Sequence, residues 1–162
     1  MKNVDYCLND TTSISKSILL PFGTSDFEEI RKNGLYYVDK TYLIKELIEF
    51  STKVTLFTRP RRFGKTLTMS MLHSFFDIQK DSKELFDGLR ISRDSEICAN
   101  YMNQYPTIFI TLRNVEGLDF QFAFSNFKVA VQDMYKSHSV LAASSKLEKE
   151  DRELFSKLSK AK

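Results

Sequence analysis

Apolar positions along this chain recur mostly at helical spacing, interrupted by two short β-branched runs. Leu43, Leu47 and Phe50, with Ile44 and Ile48 beside them, predict an amphipathic helix over residues 40–50 that Asp39 N-caps. Leu67, Met69, Met71, Leu72, Phe75 and Phe76 predict a second helix directly after a Gly-Lys-Thr tripeptide. Phe122, Phe127, Ala130, Val131 and Met134 mark the apolar side of a long helix, capped by Asp119 and running to about residue 136. A last helix is expected over 146–159. Its stripe is Leu147, Leu154, Phe155 and Leu158, and Glu148–Arg152 and Glu153–Lys157 pairs support a solvated face. Shorter helices are expected from a cap at Ser25 or Asp26 through Asn33, closed by Gly34, and over 93–103. The runs Val54, Thr55, Leu56, Phe57 and TIFITL (107–112) predict strands buried on both faces, as in a parallel sheet, and 36–38 a brief extended piece. Residues 1–17 are polar and without period. The expected organisation is therefore a loose leader over 1–17 and one domain over 18–162.

Between the first strand and the second helix lies the candidate chemistry: Arg59, Pro60, Arg61, Arg62, Phe63, Gly64, Lys65 and Thr66. Extended run, phosphate-sized loop and a helix opening on Lys-Thr is the layout of a nucleotide-phosphate loop. A helix N-terminus leaves backbone N–H groups without partners and carries partial positive charge, so it favours an anion. Gly64 allows close backbone approach. Lys65 would reach the β- and γ-phosphates, and the Thr66 hydroxyl would hold a Mg²⁺ shared with them. The match to the full Walker A pattern is partial, because Arg59 stands where that pattern has its first glycine. Without a ligand, the same stretch reads as an ordinary strand–turn–helix with a basic turn. Tyr37, Asp39 and Lys40 read either as a wall of a nucleotide site or as a cap with a packed entry turn, and N-capping explains Asp39 without a ligand.

Composition narrows the class. A chain of 162 residues with 42% hydrophobic and 28% charged residues reads as globular, and its fourteen Phe carry the aromatic core volume in the absence of Trp. A net charge of +3 is too mild to name nucleic acid as a partner. Cys7 and Cys98 lie far apart without metal-ligand spacing, so a reducing, cytoplasmic setting is expected. No apolar run approaches the length of a membrane span. The isolated His73 and His138 read as helix-surface or boundary residues.

The loop RPRRFGKT followed by LTMSML resembles that of the bacterial-type AAA-ATPase-like proteins, a branch of the P-loop NTPases. The upstream stretch 20–48, with its Pro-x-Gly, Asp-Phe and Val-Asp-Lys-Thr, resembles that family's N-terminal segment. YPTIFITLRNVEG (105–117) resembles the strand after its P-loop helix. The resemblance implies an α/β fold: part of a three-layer α/β/α P-loop NTPase arrangement, rich in helix and with few parallel strands. It also implies ATP with Mg²⁺, the eight loop residues as the nucleotide site and Thr66 as the metal ligand. A working ATPase needs an acidic residue after a second strand, the Walker B acid, yet TIFITL ends in Arg113-Asn114. In the resembled family that acid comes later, and many members add a C-terminal nuclease-like domain. The chain thus reads as the N-terminal portion of such a domain, with no catalytic residue assigned and hydrolysis impaired. The alternatives are a nucleic-acid or polyanion binder using Arg59, Arg61 and Arg62, or a non-functional fragment. The sequence leaves the oligomeric state open.

Overall fold

The structure, a computed structural model, describes residues 18–160. The expected leader over 1–17 lies outside them. The chain divides into two compact units, Met1–Thr107 and Ile108–Lys162.

In the first unit, α1 (Phe27–Lys32) starts where Asp26 accepts the Glu29 N–H, and it ends before Gly34, which takes φ 60°. Helix α2 (Tyr42–Phe50) begins two residues later than the pattern suggests, with Thr41 at its N-cap and no side-chain cap bond. Helix α3 (Lys65–Phe76) opens at Gly64. A short α4 (Lys83–Phe86), a 3-10 turn (Arg90–Arg93) and α5 (Ser95–Tyr101, capped by Asp94) complete the unit. The core joins Phe27, Ile44, Met71, Phe75, Phe86, Ile91 and Ile97. Phe86 stands at its centre, 4.9 Å from the ring of Phe27 and 5.2 Å from that of Phe75.

Polar groups lock this core in place. Arg31 donates to the carbonyls of Leu85 and Asp87, both at 2.7 Å, tying α1 to the end of α4. The Ser70 hydroxyl accepts the first amide of α1, from Phe27, at 3.1 Å. Asn103, at φ 54°, donates from its side chain to the carbonyls of Ser74 and Asp77 and from its backbone to Phe75 O. A distant asparagine thereby satisfies carbonyls that the end of α3 leaves open.

In the second unit, Asp119 caps α6 (Phe120–Ser137) by accepting the Phe122 N–H at 2.7 Å. A 3-10 turn (Ser139–Ala143) leads to α7 (Lys149–Lys160), which starts three residues later than the stripe suggests. The two helices pack together, with the Tyr135 and Phe155 rings edge to face at 5.2 Å. His138, buried at the end of α6, is within 2.9 Å of Met134 O through Nδ1.

The expected three-layer α/β/α fold is not what forms. Among the described residues there is no sheet, and the sole ladder-type pairing is an isolated parallel bridge between Asp77 and Tyr105. Residues 54–57 and 108–112 form no assigned strand, with Val54 84% exposed and Ile108 70% exposed. Residues 36–38 are likewise outside any strand. β-Branched composition favours an extended backbone, but a sheet also requires a ladder of bonds to a second segment in register, which composition alone does not supply. Among the described residues, no helix is long and apolar enough to cross a membrane.

Candidate functional site

The eight loop residues come together at the mouth of α3. Backbone handedness alternates through the turn, with φ 68° at Arg62 and 76° at Gly64 on either side of Phe63. Such alternation gathers successive N–H groups into an anion-binding concavity. Glycine takes φ 76° without strain, whereas Arg62 takes its positive φ against the usual preference of an L side chain. The first intrahelical bond of α3 runs from the Thr68 N–H to Gly64 O at 2.8 Å. The amides of Lys65, Thr66 and Leu67 therefore precede it in the helix dipole's positive end.

Lys65 folds back over the loop and donates to Arg59 O at 2.5 Å and Pro60 O at 2.9 Å. One ammonium thus closes the loop into a ring. Arg59, Arg61 and Arg62 are exposed, and none of the three is ion-paired with a carboxylate of the described residues. Thr66 is exposed in the first turn of α3, and Phe63 is 61% exposed.

Tyr37, Asp39 and Lys40 divide into three roles. Tyr37 packs edge-on against Phe27 at 5.2 Å, and burial pushes its phenol up to about 12. It is a core residue. Asp39 does not cap α2 at its amides. One of its oxygens accepts both the Thr41 N–H (2.8 Å) and the Thr41 hydroxyl (2.6 Å), and the other accepts the Arg90 N–H at 2.7 Å. Burial opposes its ionisation, but these hydrogen bonds, with the Thr41 hydroxyl foremost, outweigh it and hold its carboxyl below the usual 3.8. Lys40 reaches the loop and donates to Phe63 O at 3.3 Å. Nothing in the sequence pattern separates these three fates, because they depend on which side of one short segment faces the core.

His73 lies on α3 with Nε2 3.0 Å from a carboxylate oxygen of the buried Asp77, so it is part of the helix's own packing. Cys98 is a free thiol, pushed upward first by burial and then by the charge of Asp94.

A basic loop closed on its own carbonyls at the start of a twelve-residue helix is a loop–helix unit suited to anions. The profile of the family described as Predicted AAA-ATPase matches residues 21–162, and the chain belongs to that family. Over 73 residues it is 42% identical to an "Uncharacterized protein in vnfD 5'region" of Azotobacter chroococcum mcd 1. That stretch covers 44% of this chain and 13% of the relative's length. No solved structure matches the chain.

Proposed function

We propose that the chain binds ATP through Arg59, Pro60, Arg61, Arg62, Phe63, Gly64, Lys65 and Thr66, with hydrolysis impaired. The observation that carries this reading is the Lys65 ammonium held over the loop at the N-terminus of α3. Family membership agrees with nucleotide and Mg²⁺ use. The residues present fit a polyphosphate: left-handed backbone at Arg62 and Gly64, first-turn amides, and guanidiniums unspent on carboxylates. Mg²⁺, when bound, would neutralise phosphate charge, and the Thr66 hydroxyl is the group of this loop that would hold it. The run 107–112 is followed by Arg113 and Asn114 rather than an acid, so no residue of this chain is assigned to activate water.

Calorimetric titration of ATP, with and without Mg²⁺, tests the reading. Lys65→Ala removes a charge-assisted contact worth about 1.5–3 kcal/mol and should weaken ATP roughly tenfold or more. An unchanged affinity would remove Lys65 from the site. Turnover should stay near background, and a robust ATPase rate abolished by Thr66→Ala would overturn the impaired-hydrolysis assignment.

The exposed Phe63 ring among Arg59, Arg61 and Arg62 favours a second reading, a single-stranded nucleic-acid contact by stacking and phosphate pairing. Anisotropy with a labelled oligonucleotide separates the two. Binding that weakens steeply with salt and is lost in Phe63→Ala would support it, and no binding at low salt would dismiss it.

A further inference from the structure

Lys40 lies nineteen residues before the loop begins, yet its side chain ends on it. Its ammonium donates to Phe63 O at 3.3 Å, and a Cβ placed on Gly64 would stand 3.2 Å from the same nitrogen. Gly64 is therefore suited to its position twice over, by its left-handed φ and by the room it leaves for Lys40. The contact with Phe63 O is longer than the roughly 2.7–3.2 Å usual for a nitrogen donating to a carbonyl oxygen. Lys40 is exposed and forms no salt bridge among the described residues. The ammonium is thus held beside the loop without being consumed by a tight bond.

The backbone that carries it is pinned on both sides. Asp39 takes the Thr41 and Arg90 amides, and the buried Thr41 hydroxyl accepts the Ile91 N–H at 3.2 Å. Two of these bonds fasten the residues flanking Lys40 to the 3-10 turn at Arg90–Arg93, and two more tie Asp39 to Thr41 across Lys40. The stem of Lys40 swings from a fixed base, and the loop lies within its reach.

We propose that Lys40 is a second phosphate cation of this site, exchanging Phe63 O for the polyphosphate tail of a nucleoside di- or triphosphate while Lys65 serves the same tail from within the loop. The inference rests on the nucleotide reading of the loop. Its ligand class follows from the charges: two ammonium groups and three guanidiniums beside one helix N-terminus match several phosphates better than one.

The test is calorimetric titration of AMP, ADP and ATP into the full chain and its Lys40→Met, Lys40→Arg and Lys65→Ala variants, each checked by thermal melting. Lys40→Met should weaken ATP about five- to tenfold, ADP less and AMP hardly at all, with an unchanged melt. Lys40→Arg should stay within about twofold of wild type for ATP. Wild-type ATP affinity in Lys40→Met, with Lys65→Ala weakened, overturns the role of Lys40 and leaves the nucleotide reading standing. Equal losses for all three nucleotides also overturn it, by making Lys40 a support of loop shape. A wild-type chain that binds neither ADP nor ATP removes both readings.

Discussion

Helices α3 and α6 both carry apolar side chains along their length and meet opposite fates. Met71, Ser74 and Phe75 of α3 are buried, whereas α6 buries none of its eighteen residues and leaves Phe120 and Phe122 at 74% and 59% exposure. The difference is in the surroundings. Around α3 lie α1, α4 and the polar clamps of Ser70 and Asn103, so its stripe has a place to go. Within its own unit α6 packs through a few partly covered side chains on α7, which also meets the neighbouring 3-10 turn. Periodicity names the face that a helix is able to bury, and the number of opposing surfaces determines whether it does.

The sharpest way to break that comparison is truncation at matched positions. Phe75→Ala removes a fully buried ring and should destabilise the first unit by about 3–5 kcal/mol in denaturant unfolding, whereas Phe122→Ala should cost less than about 1 kcal/mol. Equal losses would mean that α6 is covered in solution.

A smaller effect is expected at Asp39, which belongs to the α3 side of the comparison through the core turn at Arg90–Arg93. Asp39→Ala leaves the Thr41 and Arg90 amides without their acceptor and should cost about 1–3 kcal/mol. The folded pKa of Asp39 is lowered, so its contribution is full above the ordinary value of 3.8 and is lost as pH falls through the lower folded value. The stability gap between wild type and Asp39→Ala should therefore be constant near neutrality and narrow below about pH 4. A gap that does not narrow in acid would show that the carboxylate's charge is immaterial.

The smallest contrast is between two caps of the same chemistry. Asp26→Ala should cost about 1 kcal/mol of the first unit's stability, because α1 is built into its core. Asp119→Ala should instead fray the start of α6, read as faster amide exchange at Phe120 to Ala123, and leave the first unit's unfolding midpoint in place. A shift of that midpoint would link the stability of the two units.

Local chemistry was legible from residue order. Caps at Asp26 and Asp119, the glycine closing α1 and the helix opening at Lys65 are decided within four residues of themselves. The turn before α3 is local for the same reason, since Lys65 closes it on the carbonyls of Arg59 and Pro60, six and five residues away. The three-layer sheet was not, because Val54 and Ile110 prefer an extended backbone whether or not another strand pairs with them.

By itself, then, the sequence determined the family, the basic Gly-Lys-Thr loop and the faces its helices offer to a core. Only the tertiary structure decided that Phe27, Phe75 and Phe86 meet, that Asn103 closes α3, that Asp39 holds the turn at Arg90, and that Lys40 ends on Phe63 O. The physical reason is separation along the chain. A contact across about twenty to sixty residues depends on how intervening elements stack, and no local preference encodes which side chain of a short segment will reach it.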